Sequence, residues 1–105
     1  MTVYVTQELK GRDLSSALEF GELQVVIPAD MEITPETIEE VYDIACCALS
    51  NFDPRKDYLL LSGDPVVMCL VYQVANEEAY IQHEISRVSV LRWDRIDSRY
   101  IVFDI

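Results

Sequence analysis

Few side chains in this sequence are of types that do chemistry, and their spacing limits what they can do. His83 is the single histidine, so no zinc cluster can rest on imidazoles and no second histidine can assist it. No serine sits in a nucleophile-elbow context that would make His83 its base. The cysteines, Cys46, Cys47 and Cys69, are odd in number, two are adjacent, and none has metal or redox spacing. They read as reduced thiols of a cytosolic protein, Cys46 and Cys69 in or near the core and Cys47 on a polar helix side. Carboxylates are plentiful, but no pair stands in visibly different surroundings, as an acid and base must. These residues predict no enzyme, no metal site and no cofactor.

What the carboxylates do show is asymmetry. Nineteen acids against eight bases give a formal charge of -11, which argues against binding nucleic acid directly and against an anionic membrane surface. From Asp13 to Asp53 there are ten carboxylates and no lysine or arginine, whereas residues 55–105 hold eight acids and six bases. Glu32, Glu36, Glu39, Glu40 and Asp43 follow three- and four-residue steps. On a helix beginning at Pro35, that spacing sets carboxylates about 5–6 Å apart. Such a face either keeps the protein solvated or meets a partner with a basic surface. Phosphates along a duplex strand repeat at a similar separation, so the face is also a candidate imitation of DNA.

A second candidate is Ser62-Gly63-Asp64-Pro65, where an apolar run hands over to a helix. Ligands of open parallel sheets sit at such turns, so Ser62, Gly63 and Asp64 form the alternative site, for a nucleotide or metabolite. Pro65 removes one donor, and the Asp64 carboxylate serves as a helix cap that repels an anion. Arg87, Arg92, Arg95 and Arg99 lie among Trp93, Tyr100 and Phe103. With Asp94, Asp97 and Asp104 interspersed, they read as strand-edge charges and not as a base-stacking platform.

The elements that must position these residues follow from pattern. Val3–Thr6 and Leu23–Ile27 read as strands, with a short helix capped by Asp13 and closed by Gly21 between them. Thr34 as cap and Pro35 at the first helical position open a helix that stops near Ser50-Asn51. Tyr58–Leu61 suits a central strand covered on both faces. Asp64 caps a second helix running towards Tyr80, apolar nearly all round from Val66 to Tyr72, which makes residues 66–72 a candidate homo-oligomer contact. Arg87–Trp93 and Arg99–Ile105 predict a hairpin with a five-residue loop. The whole is one α/β domain over residues 1–105: a small mixed sheet of about five strands with a parallel centre, two main helices and a C-terminal antiparallel hairpin. No apolar run has membrane-spanning length, and Met1 leads into a strand, not a leader peptide.

Four segments together carry a resemblance: Val3-Tyr4-Val5-Thr6-Gln7-Glu8, Asp13 to Leu23, Leu60 to Pro65, and Leu91-Arg92-Trp93-Asp94-Arg95. In combination they resemble a group of short proteins that recur in tailed bacteriophage genomes. The resemblance implies a phage-encoded protein in the host cytoplasm. Small acidic phage proteins of this size often bind and inhibit a host nucleic-acid enzyme or defence protein, some by imitating DNA.

Overall fold

The computed structural model describes residues 1–105. Five strands form one sheet in the order β2-β1-β3-β4-β5. They are β1 (Thr2–Gln7), β2 (Glu22–Ile27), β3 (Tyr58–Leu60), β4 (Ser89–Asp94) and β5 (Arg99–Asp104). The first four run parallel, and β5 returns antiparallel to β4. A 3₁₀ helix (Ser15–Phe20) links β1 to β2, α1 (Ile38–Ala48) links β2 to β3, and α2 (Pro65–His83) links β3 to β4. The expected architecture is therefore present, including the parallel centre and the terminal hairpin.

Alternation along the strands divides the core in two. Tyr4, Leu59 and Val90 face α1 and α2, packing with Val41, Ala45, Val67 and Val71. Val3, Val5, Leu60 and Leu91 face the other way, towards Ala17 of the 3₁₀ helix and Tyr100. β3 lies at the centre, and Leu59 and Leu60 are fully buried on opposite faces. Burial of side chains of this size contributes about 2 kcal/mol each. That is why a continuous apolar run, and not an alternating one, marks this strand.

Several boundaries differ from the sequence pattern for local reasons. α1 begins at Ile38, not at Pro35. The Thr37 hydroxyl accepts from the Thr34 N–H at 2.9 Å and donates to the Glu32 carbonyl at 2.7 Å. The Thr37 N–H in turn reaches Thr34 Oγ1 at 3.2 Å. These bonds close a tight turn over residues 34–37, ahead of the first α-helical residue. α2 runs to His83 and ends where Glu84 adopts a left-handed φ of 56°, and the hairpin loop is residues 95–98. Cys69, expected in or near the core, is exposed. It lies two residues beyond buried Val67, about 200° round the helix and so on its far side.

Asp57 ties the start of the sheet to the chain ahead of β3. It is 5% exposed and accepts from the Thr2 N–H at 3.0 Å and the Asp53 N–H at 2.9 Å. Two donors on one buried carboxylate make a costly pair to lose. Asp57→Ala is expected to destabilise the protein by about 3 kcal/mol, since each hydrogen bond to a charged group is worth roughly 1.5–3 kcal/mol. Urea denaturation at neutral pH measures it, and a loss below about 1 kcal/mol would show that water replaces the carboxylate.

Candidate functional site

The acidic face is built on α1 and the turn before it. Val41 and Ala45 are fully buried, fixing which side of the helix meets the sheet. Glu39, Glu40 and Asp43 then project to solvent by helical geometry, and all three are exposed. Glu32 and Glu36 are also exposed, and the Thr37 bond to the Glu32 carbonyl holds that segment beside the helix start. The five residues singled out from sequence therefore lie along one helix and its lead-in.

A shallow groove of about 430 Å³ runs between α1 and α2, lined by Ile38, Glu39, Tyr42, Asp43 and Leu70. Its floor is apolar and two of its walls are carboxylates. Tyr42 Oη donates to Glu77 Oε2 at 3.4 Å, which adds an α2 carboxylate that the sequence pattern had not attached to this face. Only the packing of α1 on α2 places it there. A hydrogen bond with Cys46, followed by the Cys46 and Glu77 charges, pushes the Tyr42 hydroxyl above its ordinary pKa. It stays a neutral donor through the physiological range.

The carboxylates of this face are not neutralised from within. Two ion pairs form in the molecule, Arg55–Asp53 at 3.1 Å and Arg99–Asp97 at 3.7 Å, and neither involves α1. The first is a local clip: Arg55 donates through its backbone N–H, Nε and Nη2 to the Asp53 carboxylate. Those bonds hold the Asp53 pKa down to about 2. A depressed carboxylate contributes stability that is present above its unfolded pKa and lost as pH falls through the folded one. Asp53 should accordingly titrate near 2 by carbonyl NMR, and Arg55→Ala should return it towards the ordinary 3.8. An unchanged midpoint in the variant would show that the clip does not form.

The Ser62-Gly63-Asp64 turn lies at the carboxyl end of β3, beside β1, where the order β2-β1-β3 reverses direction. This is the position where open α/β sheets take ligands. Here the chain fills it. The Ser62 N–H donates to Thr6 Oγ1 at 2.9 Å, and Thr6 Oγ1 donates to the Ser62 carbonyl at 2.6 Å. The Asp64 N–H is taken by Gln7 Oε1 at 2.8 Å, and the Val66 N–H by the Asp64 carboxylate at 2.8 Å. Ser62 is only 1% exposed. The Ser62, Asp64 and Val66 N–H groups are thus engaged within the protein, while Ser62 Oγ is buried there without a hydrogen-bond partner.

The remaining candidates are dispersed. His83 is half-buried in the last turn of α2. Arg92 stacks over the Phe103 ring at 5.1 Å, a cation–π contact within the hairpin. In α2, Val67 and Val71 are buried on the sheet, while Val66 and Cys69 face solvent. No helix is long and apolar enough to cross a membrane.

A family model described as Phage Pam3 gp32-like protein matches residues 1–105. No curated protein and no solved structure matches the chain.

Proposed function

The chain belongs to the Phage Pam3 gp32-like protein family, and we propose that it is an interaction protein that binds, and thereby inhibits, a basic host protein. The partner is a nucleic-acid enzyme or defence protein of the host cytoplasm. Contact is made through Glu32, Glu36, Glu39, Glu40 and Asp43. One observation carries this reading: the carboxylates of α1 are exposed and have no arginine or lysine of their own chain to pair with. Side chains free of internal partners are free to pair across an interface, and a concentrated field of one sign speeds encounter with a surface of the other.

The groove beside α1 refines the contact. An arginine from the partner would lay its methylene stem over Ile38 and Leu70 while its guanidinium meets Glu39 and Asp43. The test is affinity capture from host extract at low and high salt, with wild-type protein and a variant carrying Glu36, Glu39 and Asp43 reversed to lysine. A specific host protein held by the wild type at low salt and released at high salt supports the proposal. Equal capture by the variant overturns it.

A further inference from the structure

The sheet has two free edges, β2 and β5, and they differ in character. β2 belongs to the stretch without a single base and carries Glu22 and exposed Gln24. β5 pairs with β4 over six consecutive positions without a bulge. Its charges are confined to its ends, Arg99 and Asp104, with Tyr100-Ile101-Val102-Phe103 between them. Proline, lysine and bulges are the usual protections of an exposed edge, and β5 has none of them.

The ladder shows which backbone groups are free. Val88 and Ile105 exchange both amide bonds, at 3.3 and 3.0 Å. Hydrogen-bonded pairs recur every second residue in an antiparallel ladder, so Phe103, Ile101 and Arg99 also turn their amides inward. Tyr100, Val102 and Asp104 turn theirs outward. Beside them Val102 and Phe103 are 43% and 40% exposed, and Ile105 is 54% exposed. The adjoining helix-side surface is a hollow of about 310 Å³ lined by Leu61, Pro65, Met68, Tyr72, Val90 and Ile105 among others.

We infer that β5 pairs with β5 of a second copy, antiparallel, across a two-fold axis through Val102. An axis perpendicular to the sheet leaves each face on its own side, so opposed residues must share a face. With Val102 on the axis, the outward amides of Tyr100, Val102 and Asp104 meet those of Asp104, Val102 and Tyr100 in the second copy. Ile101 lies against Phe103 of the second copy on the helix side.

Charge selects this occupant and this place. Residues 87–105 carry Arg87, Arg92, Arg95 and Arg99 against Asp94, Asp97 and Asp104, a balance of +1, which leaves -12 on residues 1–86 out of the total of -11. Two molecules of charge -11 repel over most of their surfaces and can touch only where that charge vanishes. The hairpin is that region. Because α1 packs over β2, at the opposite edge of the sheet, pairing through β5 leaves both acidic faces open. The inference is independent of the proposed host partner.

Sedimentation equilibrium over a concentration series, at low and high salt, tests it. The wild-type protein should show a monomer–dimer equilibrium that tightens as salt screens the net charge, opposite in sign to capture through the acidic face. Val102→Lys places like charges on the axis. Val102→Pro deletes an outward N–H without removing any bond to β4. Both variants should stay monomeric at roughly ten times the concentration at which the wild type is half dimeric, with unchanged circular dichroism. A strictly monomeric wild type would overturn the inference. So would a dimer that survives both substitutions, or one that is lost instead in Val66→Glu on α2.

Discussion

Reversing Glu36, Glu39 and Asp43 to lysine is expected to weaken host-partner binding by at least about 100-fold while leaving the fold in place. Each reversal adds two charges, so the protein moves from -11 to -5, and all of the change falls on one face. Two local effects on stability oppose each other. Glu40 keeps its charge, so its repulsion with positions 36 and 43 turns to attraction and gains a few tenths of a kcal/mol per pair, while positions 36, 39 and 43 repel one another as lysines much as they did as acids. Lysines near the start of α1 meet the positive end of the helix dipole, which costs about 0.3–1 kcal/mol. The net change in folding stability should therefore stay within about 1 kcal/mol. Binding has no such compensation, because carboxylates facing the partner become cations. Isothermal calorimetry with the captured protein, paired with a thermal melt, separates the two quantities. A variant that binds normally removes the acidic face from the function; a variant that melts far below the wild type shows that the acids stabilise the fold itself.

How much of this was legible in the residues depends on the range of the interaction concerned. Leu59 and Leu60 announced a central strand because burial on both faces demands apolar residues at consecutive positions. Asp64 and Pro65 announced a helix start because capping is settled within three residues, and the Asp64 carboxylate does accept the Val66 N–H. Thr34 was a cap in chemistry, yet α1 starts later, because the second threonine at 37 bonds backwards and competes with the helix for the same donors. The turn at Ser62 looked open in sequence. What fills it, Thr6 and Gln7, is more than fifty residues away in the chain, and no local pattern encodes that meeting. Glu77 was missed for the same reason: it joins the acidic face only through the packing of α2 on α1. The edge position of the hairpin, by contrast, was legible, because a strand that returns antiparallel after a run of helix-linked parallel strands closes one side of the sheet, and β5 is the edge strand there.

Gly63→Ala is expected to cost about 3 kcal/mol, near 12 °C in melting temperature for a domain of this size. Gly63 has φ +89°, and a side chain in a left-handed backbone costs roughly 1–2 kcal/mol. The added Cβ would also run into Cβ and Oε1 of Gln7. Gln7 is 6% exposed and cannot retreat without giving up its bonds to the Asp64 N–H and the Pro28 carbonyl. Leaving such buried groups unpaired costs roughly 1–3 kcal/mol more. The two contributions separate in a double-mutant cycle. Against a Gln7→Gly background the collision is gone and only the backbone penalty remains, so Gly63→Ala should there cost about 1–2 kcal/mol. Equal costs in both backgrounds would assign the whole effect to backbone strain and deny that Gln7 packs against the turn. A cost below about 1 kcal/mol in the wild-type background would mean that the turn readily takes another conformation. The same variant serves as a control for the acidic face, since it loosens the junction of β3 and α2 without altering a charge. Below its own melting temperature it should capture the host partner as the wild type does, which ties loss of capture in the lysine variant to charge and not to a weakened fold.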